Sequence, residues 1–241
     1  MELSARTLEN AWVRLEPLEE RHRAEMIAAA EGDPTIFRHM PYPVATQGFA
    51  PTFDWLLNER AEGRWIPHVV IAKHPPPRAG EVASEASGRG KLHDGADAPL
   101  RQFAPLTDTS PASGGGKIVG QSCYLTIRPR DAGVEIGGTW YVREAQGRAI
   151  NPAAKLALLD NAFAQGAERV EFKTDALNAQ SRAALTKLGA TFEGIHRRHM
   201  LRPNGTWRDS AYFSIVREDW PDVRARLEAR LAALSGELSH G

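Results

Sequence analysis

The chain has 241 residues, and its 30 lysines and arginines balance its 30 aspartates and glutamates. This zero formal charge argues against a broad basic surface for nucleic acid or anionic lipid, and a single cysteine, Cys123, excludes an internal disulfide and an all-cysteine metal site. No run approaches the roughly 18 apolar residues of a membrane span, and the N-terminus lacks the layout of a secretory signal. We therefore expect a cytoplasmic protein with no nucleic-acid or membrane partner.

The hydrophobic pattern predicts an α/β (α+β) fold, in which a mixed, mostly antiparallel central sheet is flanked by helices. Predicted strands cover residues 11–15, 65–72, 117–128, 134–142, 169–174, 191–201 and 206–216. Predicted helices cover residues 19–31, 52–61, 152–165, 179–188 and 219–235. The last helix is amphipathic, since Val223, Leu227 and Leu231 recur at helical spacing. It could pack on its own sheet or on a second subunit, which leaves a homodimer open.

One internal segment differs in composition from the rest of the chain. Residues 74–116 include 6 Pro, 7 Gly, 7 Ala and 4 Ser and few large apolar side chains. Such a segment cannot bury enough apolar area to offset the entropy of ordering it. We predict a flexible insertion in a hairpin, within one domain that spans residues 1–241.

The segment from Gln146 to Pro152 joins a predicted strand to a predicted helix. Asn151 suits the N-cap position, and Pro152 suits the first helical turn. The small residues Gly147 and Ala149 would let a ligand approach the backbone, and unpaired amides at a helix start favour an anion. A well-capped helix start and a phosphate site are both consistent with this pattern.

Six stretches, taken in order, resemble the GNAT-type N-acetyltransferases, most of all the branch with the bacterial ribosomal-protein N-terminal acetyltransferases. The stretches are residues 13–18, 135–142, 146–151, 178–190, 192–194 and 208–215. The resemblance implies a GNAT-like fold, acetyl-CoA as cosubstrate and no metal. It also implies transfer of an acetyl group, by direct attack in a ternary complex, to a primary amine on a small molecule or a protein N-terminus.

The resemblance also implies which residues bind the cosubstrate. Backbone amides of the loop would cradle the CoA pyrophosphate, and the loop consists of Gln146, Gly147, Arg148, Ala149, Ile150 and Asn151. In this loop Ala149 replaces the family's glycine and Asn151 its last small residue, so the loop geometry is altered, but we expect binding to survive. An amide of the strand Trp140, Tyr141 and Val142 would stabilise the oxyanion. Asn178, also a good N-cap, would contact the pantetheine arm together with Ser181.

Three residues are candidates for proton transfer, because an amine attacks only when it is neutral. The resemblance implies Glu193 as the base and Ser181 as the acid, and Glu135 is a rival base beside the thioester position. Each also has an ordinary interpretation: a solvated strand residue for Glu193, a first-turn helix residue for Ser181 and an outward-facing carboxylate for Glu135. Because of the altered loop and the lack of an unmistakable acid, a catalytically weak CoA-binding sensor or scaffold is the alternative function.

Two further predictions concern isolated residues. Cys123 lies in a β-rich stretch and is predicted to be a small core residue. His196 and His199 lie three positions apart on a predicted strand, so we expect them on opposite faces and unable to share a metal ion.

Overall fold

The computed structural model describes residues 1–40, 44–73, 116–202 and 204–237. The strands in these ranges are β1 Leu8–Glu9, β2 Val13–Pro17, β3 Ile66–Ala72, β4 Lys117–Arg128, β5 Gly133–Tyr141, β6 Arg169–Asp175, β7 Thr191–Leu201 and β8 Trp207–Val216. The helices there are α1 Arg23–Glu31, α2 Val44–Gln47, α3 Ala50–Ala61, α4 Ile150–Ala164, α5 Ala179–Leu188 and α6 Trp220–Glu237. Short 3-10 turns cover Glu20–His22, Pro34–Phe37 and Arg143–Ala145.

The strands form one sheet in the order β1-β2-β3-β4-β5-β6-β8-β7. Neighbouring strands are antiparallel except for β5 and β6, which are parallel because α4 connects them as a crossover. The predicted mixed, mostly antiparallel sheet flanked by helices is therefore confirmed. The predicted insertion at residues 74–116 lies, apart from Gly116, outside the described residues. Its flanking strands pair with Ala72 opposite Lys117, so the segment joins two strands of a hairpin, as expected.

The two faces of the sheet bury separate apolar clusters. Alternate residues of β3 divide between them, since Val70 belongs to one cluster and Val69 and Ile71 to the other. Helices α4, α5 and α6 cover the first face, and α1 and α3 cover the second. Cys123 is fully buried in the second cluster, which confirms its predicted place in the core.

Helix α6 packs on its own chain. Its predicted apolar stripe is buried, with Val223, Leu227 and Leu231 at most 5% exposed. The ring of Trp220 stacks on that of Phe163 in α4 at a centroid distance of 5.2 Å. Of the two packing arrangements that the sequence left open, the structure has the intramolecular one. Among the described helices, none combines the length and the apolar character that crossing a membrane requires.

The sheet opens between β5 and β6. The two strands pair only from Gly133 opposite Arg169 to Glu135 opposite Glu171, although β5 continues to Tyr141 and β6 to Asp175. Beyond Glu135 one edge of β5 therefore faces no strand. A ligand that enters this gap would meet the backbone groups of β5 directly.

Candidate active site

A cavity of about 540 Å³ occupies the gap between β5 and β6 and continues to the first turns of α4 and α5. Several predicted site residues line it: Glu135, Tyr141, Gln146, Gly147, Arg148, Asn151, Asn178 and Ser181. Five predicted site residues are not part of its lining: Trp140, Val142, Ala149, Ile150 and Glu193. The cavity thus collects most of the predicted cosubstrate site and one of the two candidate bases.

The loop before α4 differs from its prediction in one detail. The helix begins at Ile150, and its N-cap is Ala149, whose backbone is already helical with φ −64°. The prediction of Asn151 as the N-cap was therefore wrong, because Gly147, with φ +74°, turns the chain early enough for the helix to start two residues sooner. No side chain caps this end of α4, so the amides of its first turn keep the local positive potential that favours an anion.

Side-chain hydrogen bonds connect the loop to α5. Gln146 Nε2 donates to the carbonyl of Tyr141 at 3.0 Å, and Gln180 Nε2 donates to Gln146 Oε1 at 3.2 Å. The side chain of Asn178 accepts from the backbone N–H of Ser181 at 3.0 Å, which confirms Asn178 as the N-cap of α5. Together these bonds hold the starts of α4 and α5 on either side of the gap.

The end of β5 presents its backbone, rather than the Trp140 side chain, to the gap. The ring of Trp140 is buried on the other face, with centroids 5.3 Å from Phe37 and 5.4 Å from Phe49. The N–H of Val142 donates to the carbonyl of Val119 on β4 at 2.9 Å. Because N–H groups alternate along a strand, that of Tyr141 points to the opposite edge, where β6 has diverged. The backbone N–H of Tyr141 is therefore free of the strand pairing with β4 and faces the gap.

Glu135 lies in the cavity wall and is only 5% exposed. Its Oε2 accepts from Lys173 Nζ at 3.2 Å and from Thr126 Oγ1 at 3.3 Å. Burial raises the pKa of this carboxyl, and the nearby Lys173 ammonium opposes the increase without cancelling it. A carboxylate with a raised pKa in a cavity is suited to accept and release a proton.

Glu193 lies in a different environment. Its carboxylate accepts two hydrogen bonds from the Arg169 guanidinium, one of them at 2.7 Å, and one from Ser214 Oγ at 2.8 Å. The hydrogen bonds from Arg169 hold the pKa of Glu193 below its usual value. Arg169 precedes Lys173, the partner of Glu135, by four residues on β6, a separation of about 13 Å along a strand. The role of Glu193 as a base stays a prediction, and the cavity contains the other candidate.

Sequence reasoning missed a buried lysine in the cavity wall. Lys155, on α4, is 6% exposed, and its Nζ lies 3.1 Å from Thr139 Oγ1 and 3.4 Å from Ser122 Oγ. Burial lowers its pKa to about 7. A lysine inside the otherwise apolar run from Ala153 to Leu159 was the available signal.

A second missed residue is Arg208, on β8. The side chain is 7% exposed and lines the cavity beside His39, from the loop after the Pro34–Phe37 turn. Its position in the polar run from Arg208 to Ser210 gave no sign of burial.

The positions of His196 and His199 on β7 contradict the prediction that they lie on opposite faces of the strand. Their rings lie 5.7 Å apart, and both contact the ring of Tyr212, so the expectation of opposite faces was wrong. The register between β7 and β8 is irregular from His196 to Met200, and Arg198 has φ +49°, which breaks the alternation. Among the described residues, no group of three or more His, Cys, Asp or Glu side chains is placed to hold a metal ion.

Solved structures with a similar fold include acetyltransferases. A GCN5-related N-acetyltransferase from Brucella melitensis aligns with a TM-score of 0.70 and 24% identity over 95% of this chain and 86% of its own. RimJ from Mycobacterium smegmatis, in complex with CoA-disulfide, aligns with a TM-score of 0.66 and 20% identity over 94% of this chain and 95% of its own. RimL, a ribosomal L7/L12 α-N-protein acetyltransferase, aligns with a TM-score of 0.62 and 13% identity over 88% of this chain and 94% of its own.

The family follows from the sequence itself. The model of the acetyltransferase (GNAT) domain matches residues 13–191, and the chain therefore belongs to the GNAT acetyltransferase family. This confirms the resemblance from which the site was predicted. No curated protein matches the chain at a significant level.

Proposed function

We propose that the protein transfers an acetyl group from acetyl-CoA to a primary amine, by direct attack of the amine in a ternary complex. The observation that carries the proposal is the gap between β5 and β6, which has an uncapped helix start at one end and the buried Glu135 in its wall. When bound, acetyl-CoA supplies the acetyl thioester. The roles below belong to side chains and amides of this chain.

The cosubstrate would bind between the loop and the gap. The amides at the start of α4 suit the pyrophosphate, because this helix end carries no side-chain cap and has Gly147 at a position open to a ligand. The half-buried Asn178 and Ser181 line the same cavity at the start of α5 and could contact the pantetheine arm. The N–H of Tyr141 would stabilise the oxyanion.

Glu135 is the base that the geometry favours. An amine must lose a proton to attack, and a carboxyl with a raised pKa is a stronger base than an exposed one. Ser181 would hydrogen-bond the leaving sulfur or a bridging water, since a serine hydroxyl is a poor acid at neutral pH. Glu193, the base that the family resemblance suggests, is held by Arg169 in a form that accepts protons less readily.

The acceptor would be a small-molecule amine or a protein N-terminus. A protein acceptor is consistent with the likeness to RimL, whose name states that it acetylates a ribosomal protein. The cytoplasmic location and the homodimer stay predictions.

A substitution that introduces a negative charge at the proposed pyrophosphate site tests the proposal. In Asn151→Asp a carboxylate faces the bound phosphates, so we expect the Kd for acetyl-CoA to rise about tenfold or more, which is about 1.4 kcal/mol. The folded protein should not lose stability, since an acidic residue in the first turn of a helix is favourable. Asn204→Asp, in the turn between β7 and β8, is the matched control and should bind normally. Calorimetry measures Kd, and a free-thiol assay with an amine panel measures turnover.

Three outcomes separate the candidate functions. Binding that weakens only in Asn151→Asp, together with thiol release that depends on an amine, supports the proposal. Absence of binding at millimolar acetyl-CoA contradicts it. Binding with no turnover on any amine would favour the sensor or scaffold.

A further inference from the structure

The cavity contains a buried cation that the reaction outlined above does not use. The Nε of Arg208 is buried and has no hydrogen-bond partner among the described residues. The side chain forms no ion pair there either, although more than nine-tenths of it is shielded from solvent. Burying a guanidinium without a carboxylate partner is costly, so a missing partner needs an explanation.

The nearby carboxylates are engaged by other cations. Asp175 accepts from Arg202 Nε at 3.0 Å and Nη2 at 2.8 Å, and it also accepts from the backbone N–H of Leu177 at 2.9 Å. Glu135 accepts from Lys173. Burial lowers the pKa of Arg208, and the charges of Asp175 and Glu135 only oppose this effect. This part of the cavity therefore keeps one guanidinium whose charge is not matched by a carboxylate of its own.

The position of Arg208 separates it from the CoA loop. In the sheet, β6 lies between β5, which leads into the loop, and β8, which carries Arg208. The residues beside Arg208 in the cavity wall include His39, Met40 and Met200, which come from the segment before α2 and from β7. A phosphate of CoA at the start of α4 would lie across β6 from Arg208. An anion bound by Arg208 would thus belong to the acceptor.

We infer that the acceptor amine carries a nearby anionic group, a carboxylate or a phosphate, and that Arg208 binds this group in the cavity. The inference rests on the proposed acetyl transfer. The planar guanidinium pairs with either anion through two parallel hydrogen bonds, which also orients the acceptor. Orientation would bring the amine to Glu135, whose carboxyl lies in the same cavity wall. Arg208 is therefore a specificity-determining residue.

Matched acceptors test the inference. Each pair differs in one anionic group: an amino acid and its amide, phosphoethanolamine and ethanolamine, and two peptides with Asp or Asn after the N-terminal residue. The ratio of kcat/KM between the members of a pair is measured for the wild type, Arg208→Gln and Arg208→Lys. Arg197→Gln, at an exposed position of β7 outside the cavity wall, is the matched control.

We expect the wild type to prefer the anionic member of at least one pair. Arg208→Gln should reduce that ratio at least about tenfold, mainly through the KM of the acceptor, which is a loss of about 1.4 kcal/mol. Arg208→Lys should retain part of the ratio, and Arg197→Gln should retain all of it. The pair whose kcat/KM ratio falls in Arg208→Gln shows whether the anionic group of the acceptor is a carboxylate of a small molecule, a phosphate or an acidic side chain of a peptide.

The inference is overturned if Arg208→Gln lowers kcat/KM equally for both members of every pair, since that result indicates a structural role. It is also overturned if the wild type acetylates both members equally well. If acetyl-CoA binds but no amine is acetylated, the proposed function fails instead. In that case the melting temperature of the CoA-bound protein is measured with both members of every pair. A rise with an anionic member that Arg208→Gln abolishes supports the inference, and equal shifts with both members of every pair overturn it.

Discussion

Two glutamates on one face of the sheet have opposite environments. Glu135 bonds to Lys173 and Glu193 to Arg169, and these two cations share a face of β6. Burial in the cavity wall raises the pKa of Glu135, whereas hydrogen bonds from Arg169 lower that of Glu193. The comparison shows that residue type and sheet face do not determine proton affinity. The depth of burial and the quality of the cationic partner do.

We expect the largest effect on activity from replacing Glu135, the glutamate whose pKa is raised. Glu135→Gln removes the proposed base, so kcat should fall by about 10²–10⁴-fold while the Kd for acetyl-CoA changes little. Glu193→Gln should change kcat less than about threefold, since Glu193 is not part of the cavity lining and its ion pair with Arg169 is partly exposed. Steady-state kinetics with a fixed amine measures both variants. A larger loss in Glu193→Gln would reverse the assignment.

The pH profile checks the same assignment independently. The base works when it is deprotonated, so activity should rise with pH through the pKa of Glu135, above the range of an ordinary glutamate. This acid limb should disappear in Glu135→Gln and persist in Glu193→Gln. A limb that persists in Glu135→Gln would belong to another group.

An intermediate effect concerns Lys155, the buried cation beside the gap. Its folded pKa of about 7 lies below the ordinary value of 10.5, so the unfolded chain binds more protons between these two pH values. The free energy of unfolding should therefore rise as pH increases from about 7 to 10.5. Lys155→Met removes this charge, so we expect it to raise the free energy of unfolding at pH 7 and to abolish this dependence on pH.

Thermal unfolding at several pH values measures this prediction. Lys187→Met, on an exposed position of α5, is the matched control and should leave the pH dependence unchanged. A wild type and a Lys155→Met variant that respond equally to pH would show that Lys155 is not the titrating group.

The smallest effect belongs to the ion pair of Glu193. Both side chains are about one-third exposed, with values of 32% for Arg169 and 33% for Glu193, so water screens their attraction. Glu193→Gln, which leaves the ion pair of Arg169 with Glu171 in place, should lower the free energy of unfolding by about 1 kcal/mol or less at pH 7. Because the folded pKa of Glu193 is depressed, this contribution is present above its ordinary pKa and is lost as the pH falls. Denaturant unfolding at pH 7 and pH 3 tests it, and an equal loss at both pH values would indicate lost packing instead.

Local pattern predicted most of the architecture and failed where the backbone departs from regular repetition. The bounds of β4, α5 and β7 agree with their predictions. The signals for these bounds, such as the periodicity of apolar residues and the glycine that ends α5, come from residues close together in the sequence. The early start of α4 was missed because the turn at Gly147 depends on how the loop closes against the sheet. The shared face of His196 and His199 was missed because a bulge has no signature in side-chain alternation.

The sequence by itself determined the family, most of the strands and helices and most of the proposed cosubstrate residues that line the cavity, because motifs and periodicity are carried by neighbours along the chain. Only the tertiary structure decided how proton affinities are distributed among Glu135, Glu193, Lys155 and Arg208. The physical reason is that a pKa depends on burial and on charges a few ångströms away. Those charges come from residues distant in sequence, which only the folded sheet brings together.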